Sequence, residues 1–312
     1  MDNKVKSFFE ENAESWVLNG YNDDGYNYPT AYHRARIINK ILKEEKNKLN
    51  VVDLGCGSGN VSIILAKQGH SVVGIDESKS MIELSKKEKN KLSNVNKLNL
   101  EFKNQSITDN SLEAGYYDVC IAMGVIGYFD KDEILFNEAK RLLKPGGLFI
   151  VSFRNRLFNM QSLSFRTINE IKSNNAINLI NEIEELYERV PEKNVEDLLN
   201  VLKKSVSKIP LKNSYDKEKM KSPNEKKEKG ASYKPFYEPR QHTPKQITNI
   251  SNKIGFKAES FFGVHPHLID PNLNKLLPPK LFNKISTCLE PLEDLPISLV
   301  WSSVFIGTFY KK

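Results

Sequence analysis

Cysteine is scarce: Cys56, Cys120 and Cys288 are the three in 312 residues, and they lie far apart. That spacing offers neither a disulfide framework nor a metal-ligand pattern, so free thiols in a reducing compartment are expected and a metal is not. Long apolar runs are also missing. None approaches the roughly 18 to 20 residues that a bilayer-spanning helix requires, and the opening Met1-Asp-Asn-Lys4 has no apolar segment of signal-peptide length. These absences point to a soluble, cytoplasmic protein. Acidic residues are in deficit, 39 against 46 Lys and Arg, giving a net charge of +7. The excess is mostly lysine scattered through Lys/Glu/Asn-rich stretches, which reads as solvated surface rather than as a nucleic-acid footprint.

What the chain does have is centred on Val51-Val-Asp-Leu-Gly-Cys-Gly-Ser-Gly-Asn60. Four residues with the look of a buried strand run into three glycines, and a helical pattern follows. A glycine-rich turn at a helix N-terminus lets a nucleotide-like ligand touch the backbone. A second strand, Ser71 to Asp76, ends in an acid 21 positions beyond Gly55. A carboxylate at that spacing meets ribose hydroxyls of a nucleotide held on the first turn.

Further strands are expected at 98–104, 116–123, 148–153, 256–262 and 298–310, with helices at 3–19, 31–47, 61–67, 78–89, 131–143 and after Thr243-Pro244. This alternation implies an α/β fold, a parallel sheet with helices on both faces, whose ligands bind outside the carboxyl ends of the strands. Four regions follow: N-terminal lid helices at 1–47, a ligand-binding core at 48–153, a helical insertion or cap at 154–235 with a mobile Lys-rich loop, and a completion of the sheet at 236–312. Within the insertion, helices are expected at 167–190 and 194–204. The loop at 20–30 carries three tyrosines and reads equally as a lid or as a plain connection.

Asp53, inside the first strand, would repel a pyrophosphate, but it suits a cationic ligand. A dinucleotide fold would usually have a third glycine where Asn60 stands. Both features disfavour a dinucleotide and favour a phosphate-free, positively charged adenosine ligand.

Asp53-Leu-Gly-Cys-Gly-Ser-Gly59, Asp76, Tyr117-Asp118-Val119 and Leu143-Lys-Pro-Gly-Gly-Leu148 together resemble class I S-adenosylmethionine-dependent methyltransferases, in their small-molecule branch. The resemblance spans residues 30 to 153 strongly. It implies a Rossmann-like, seven-stranded, mostly parallel sheet with the last strand antiparallel. It further implies S-adenosylmethionine as cofactor, with Gly55, Cys56, Gly57 and Gly59 at the methionine part, Asp76 and the adjacent Glu77 at the ribose, and Ser106 with Ile107 at the adenine. Met123 and Gly124 would lie beside the cofactor, and Arg34 or Arg36 would reach its carboxylate. The opening Phe8-Phe-Glu-Glu-Asn-Ala-Glu-Ser-Trp16 is similar to the lid helix of quinone- and porphyrin-type members.

Methyl transfer is an in-line displacement that depends mostly on alignment and exclusion of water. A general base matters only where the nucleophile must lose a proton. The candidates are His242, Tyr21 or Tyr26, His265, His267 and His33, with His242 the leading one. Arg240 and Glu238 are candidates for holding a polar substrate, and Ser152 and Arg154 are second-rank site residues. No Asn/Asp-Pro-Pro-aromatic box follows the fourth strand and no Pro-Cys dipeptide occurs, so base methylation is disfavoured. The expected activity is O- or N-methylation of a small polar acceptor. An RNA-modifying methyltransferase and a non-catalytic cofactor-binding partner protein are the alternatives.

Overall fold

In the computed structural model the buried runs pair edge to edge into one eight-stranded sheet. The structure describes residues 3–21, 30–43, 47–92, 98–188, 192–207, 238–267 and 279–312. Two helices, α1 (Asn3–Tyr21) and α2 (Thr30–Leu42), precede the strands β1 (Asn50–Leu54), β2 (Ser71–Asp76), β3 (Leu100–Asn104), β4 (Tyr117–Ala122) and β5 (Leu143–Asn155). Between these strands run α3 (Asn60–Lys67), α4 (Lys79–Asn90) and α5 (Asp132–Leu142). The chain closes with β6 (Gln241–His242), α10 (Pro244–Ile254), β7 (Phe256–Pro266) and β8 (Ser302–Lys311). The order across the sheet is β3-β2-β1-β4-β5-β8-β7. β8 is antiparallel to both neighbours, and β6 adds two parallel pairs to the end of β5.

Period-two alternation distributes the strand side chains to two cores. Val52, Leu54, Cys120, Ala122, Phe149, Val151 and Phe153 face one side, where Phe136 of α5 and Ile247 of α10 cover them. Val51, Val119, Ile121 and Ile150 face the other, under Ile37 and Ile38 of α2 and Leu65 of α3. With both faces buried, the central strands read as near-continuous apolar runs.

Several boundaries differ from the sequence expectations. β5 begins at Leu143 rather than 148, because Leu143 already pairs with Tyr117 before an irregularity in the register. Residues 298–301 form a helical turn ahead of β8. The buried amide of Asn155 donates to the carbonyls of Leu299 and Ser302 (2.7 Å to the latter), drawing the chain into a turn that apolar composition alone does not signal. β7 continues to Pro266, paired with Ser302, so His265 lies in the strand end and His267 directly follows it, its N–H donating to the Trp301 carbonyl at 2.8 Å. The insertion holds α6 (Phe158–Gln161), α7 (Phe165–Lys172), α8 (Ala176–Glu188) and α9 (Glu192–Ser207). The single long helix expected at 167–190 is broken at Asn174, which adopts a left-handed φ of 57°. The Lys-rich loop from 208 and the tyrosine loop at 22–29, Tyr26 included, lie outside the described residues. No described helix is long and apolar enough to cross a membrane.

Candidate functional site

The carboxyl ends of β1, β2 and β4 open onto a cleft of about 1080 Å³. Its wall includes Asp53, Gly55, Cys56, Gly57, Asp76, Glu77, Ser106, Ile107, Met123 and Gly124, so ten of the twelve residues expected at the cofactor meet in one place. Phe9, Ala31, Arg34, Ser58, Val61, Met81, Val125, Tyr128 and Phe129 complete it.

Backbone donors shape the glycine turn. The Gly55 and Cys56 N–H groups both donate to the Ile75 carbonyl, at 2.8 and 3.0 Å, tying the turn to β2. The Asp76 carboxylate accepts from Gly57 N at 2.9 Å through one oxygen and from Ser78 N at 2.9 Å through the other. Asp76 thus fastens the turn and faces the cleft at once. A side chain at Gly57 would project into the cleft, with Met81 Sδ at 4.0 Å as its nearest neighbour.

Asp53 is 2 % exposed and accepts a 2.7 Å hydrogen bond from Ser62 Oγ of α3. Burial pushes its carboxyl up to about 7; the Ser62 bond opposes this and the Asp76 charge adds to it. Burial likewise raises Asp76, against the two backbone donors. The Cys56 thiol is pushed up by burial and by both carboxylates, and stays protonated. Two acids held in an environment that disfavours their ionised forms constitute a receptor for positive charge.

The sign of the Asp53 shift gives a test. Its folded-state pKa lies above the ordinary 3.8, so the folded protein binds the extra proton and loses stability as pH rises from about 4 through about 7. Asp53→Asn is expected to stabilise the ligand-free protein at pH 8 by on the order of 4 kcal/mol and to change little at pH 4. Urea unfolding at the two pH values measures the difference. An equal effect at both would show that Asp53 is not strained by its charge.

α1 closes one side of the cleft. Glu10 accepts from the N–H groups of Lys79 (2.6 Å) and Ser80 (2.9 Å) at the start of α4. The Ser78 hydroxyl takes the third, Met81 N, at 3.2 Å, so the first turn of α4 is satisfied partly from another helix. One residue before Glu10, the Phe9 ring meets Tyr128 edge to face at 5.8 Å.

A second cavity, of about 1100 Å³, adjoins the first. Thr30, Ile126, Gly127, Ser152, Phe153, Arg154, Pro239, His265, Ser303 and Val304 line it, and it shares Ala31, Arg34, Gly124 and Tyr128 with the first. The buried Ser152 hydroxyl accepts from Gly124 N at 2.7 Å and so fixes the floor where the two meet. His265 has a left-handed φ of 61°, a conformation that costs a non-glycine residue about 1 kcal/mol or more. Its Nδ1 lies 3.4 Å from Ser303 Oγ, and its ring is 4.2 Å from that of His267. Burial first, then the neighbouring His267, His33 and Arg34, hold His265 well below 6.5, and burial lowers His267 to about 4.

Six expected site residues, Arg36, Gly59, His242, Arg240, Glu238 and His33, fall elsewhere. Arg36 turns away from the cleft to Glu293 and Glu290. Residues two apart on a helix face different sides, and it is Arg34 that reaches both cavities. Gly59 lies outside the cleft wall with a φ of 76°, and a Cβ there would stand 2.3 Å from Phe102. It does the close packing that Asn60 was expected to lack, while Asn60 donates to Ser58 Oγ at 2.7 Å. His242 is 3 % exposed and lines neither cavity; its Nε2 meets Asp132 Oδ1 at 2.8 Å, and Arg240 pairs with the same carboxylate. Both are committed to a buried ion pair, and Glu238 is taken by Arg166. His33 pairs with Glu290. Tyr21 ends α1, and its side chain is outside the described residues. Sequence reasoning missed Tyr128, whose one signal was its place in the short turn after β4.

The mostly parallel sheet with its antiparallel last strands is the Rossmann-like fold of class I S-adenosylmethionine-dependent methyltransferases. The chain belongs to the methyltransferase domain family, whose model matches residues 45–228. Among similar proteins, the ubiquinone biosynthesis O-methyltransferase of Coxiella burnetii is 31% identical over 109 residues, 35% of this chain and 45% of the relative. The protein of the same name from Pelagibacter ubique is 29% identical over 160 residues, 49% of this chain and 65% of the relative. The chain thus spans about half to two thirds of these relatives' length. In fold it is similar to magnesium protoporphyrin IX methyltransferase from Synechocystis PCC 6803 with bound SAH, at a TM-score of 0.56 and 14% identity, over 99% of each chain. The cleft residues fit S-adenosylmethionine. Three carboxylates suit a cationic ligand with ribose hydroxyls, and Arg34, the one Lys or Arg among the described wall residues, leaves no basic cradle for phosphates.

Proposed function

We propose that this protein transfers a methyl group from S-adenosylmethionine to an oxygen or nitrogen of a small molecule seated in the second cavity. The observation that carries this reading is the shared boundary of the two cavities at Ala31, Arg34, Gly124 and Tyr128. When bound, the cofactor would supply a sulfonium methyl group to the acceptor's lone pair, the C–S bonding pair staying with sulfur and the acceptor's hydroxyl or amine proton being released to water. Asp76 and Glu77 would bind ribose hydroxyls, Ser106 and Ile107 the adenine, and Arg34 the methionine carboxylate. Phe9, Tyr128 and Phe129 cover the cleft with apolar surface, which keeps water from competing as nucleophile. His265 and Ser303 stand where they could hydrogen-bond an acceptor hydroxyl.

The names of the curated relatives support an oxygen acceptor. The test joins calorimetric titration with S-adenosylmethionine to a mass-spectrometric screen of phenols, carboxylic acids, sugars and amines. The expected result is cofactor binding and a 14 Da gain on one acceptor class. Absence of cofactor binding would sink the proposal, and binding without turnover on any class would favour a non-catalytic partner protein.

A further inference from the structure

The two cavities differ in the sign of their charge. The first carries Asp53, Asp76 and Glu77 against Arg34 alone. The second carries the two cations Arg34 and Arg154 beside the neutral imidazole of His265, with no acidic side chain among its described lining residues. Arg154 is placed firmly: its backbone at the carboxyl end of β5 pairs with Gln241 of β6 on one edge and Val304 of β8 on the other. Its side chain is exposed to the cavity mouth.

Most other described arginines find carboxylates, Arg36 with Glu293 among them. Arg141 pairs with Glu138, Arg156 with Glu170, Arg166 with Glu238 and Arg240 with Asp132. Arg154 has no such partner among the described residues, and it lies close enough to Arg166 for the two cations to repel. The rest of the wall is largely apolar, from Ile126, Tyr128, Phe153, Pro239 and Val304. A guanidinium left uncompensated at the rim of an apolar cavity is a fork for a planar or tetrahedral oxyanion.

Building on the acceptor role assigned above to the second cavity, we infer that it selects an anionic acceptor: a small, mostly apolar molecule whose carboxylate or phosphate is received by Arg154. The acidic first cavity and the basic second one would then sort the two ligands by charge, each repelling the other's partner. Ser303 and His265 are left to contact the neutral, hydroxyl-bearing part of the acceptor.

The probes are 4-hydroxybenzoate, phenyl phosphate and the neutral 4-hydroxybenzamide, titrated into the full chain saturated with S-adenosylhomocysteine and followed by ligand-observed NMR. The wild type is expected to bind at least one of the anions about tenfold more tightly than the amide. Arg154→Leu should erase that preference and Arg154→Lys keep part of it. The anion with the larger Arg154-dependent preference identifies the group as carboxylate or phosphate. Equal affinity for anions and amide, no binding of any probe, or a preference that survives Arg154→Leu would each overturn the inference. S-Adenosylhomocysteine affinity is measured in the same samples. If it too fails, the proposed function falls; if it stands while the anions are not preferred, only this inference falls. Arg154 is exposed, so the leucine variant should fold, and a thermal melt matching the wild type verifies this.

Discussion

Asp76→Ala is expected to weaken S-adenosylmethionine binding about 100-fold, measured by isothermal titration calorimetry. Two losses coincide at this position. The carboxylate accepts from Gly57 N and Ser78 N, so its removal unfastens the turn and leaves two donors near the cleft without their acceptor. It also removes a charged acceptor from the wall that would meet ribose hydroxyls. Hydrogen bonds to charged groups contribute about 1.5–3 kcal/mol each, and 100-fold in affinity is about 2.7 kcal/mol. Asp76→Asn keeps one acceptor oxygen and loses the charge, so a smaller loss of about tenfold is expected. Unchanged affinity in both variants would show that the ligand does not lie on this turn.

Asp132→Ala is expected to destabilise the fold by about 3 kcal/mol without altering cofactor affinity at low temperature. Asp132 is buried at the start of α5 and compensates both His242 and Arg240. Arg240 also donates to the Phe129 carbonyl at 2.7 Å, and its backbone N–H donates to Gly127 O at 3.1 Å. The cluster therefore pins the segment after the insertion against the wall of the second cavity. Removing the acid leaves two buried or half-buried donors unpaired, which accounts for the size of the effect. Burial alone would raise the Asp132 carboxyl, but the hydrogen bonds and charge of His242 and Arg240 outweigh it and hold it below 3.8. Its stabilisation is thus complete above that pH and is lost as pH falls below it, in the wild type only. Denaturant unfolding at pH 7 and pH 3 gives both quantities. His242→Asn should behave as a milder version, with a loss of stability; a complete loss of turnover in folded His242→Asn protein would return His242 to the chemistry.

The elements that the sequence made legible are those whose determinants are local. The glycine turn follows a run of apolar residues, Asp76 ends the next one, and Thr243 caps a helix with Pro244 at its start as expected, Gln246 completing a capping box. Each depends on a few consecutive side chains and the backbone between them, and the α/β class follows from their alternation. That the residues of the first cleft meet was legible for the same reason, because the loops at the carboxyl ends of adjacent parallel strands must converge. The strand end at Pro266 and the helical turn at 298–301 were not legible, since pairing with Ser302 and the reach of the Asn155 amide decide them.

Side-chain direction marks the same division. Sequence spacing allowed Arg34 or Arg36, and it favoured His242 over His265, whereas it is His265 that lines a cavity. Glu290 and Glu293 arrive from more than 250 residues away to claim Arg36, and Asp132 arrives from α5 to claim His242. By itself the sequence determined the class of fold, the place of the turn and the charge of the ligand it can hold, because these depend on residue type and short spacing. Only the tertiary structure decided which cations are neutralised and which, such as Arg154, face a cavity with no carboxylate partner among the described residues, because an ion pair is a meeting of chain segments that no local pattern specifies.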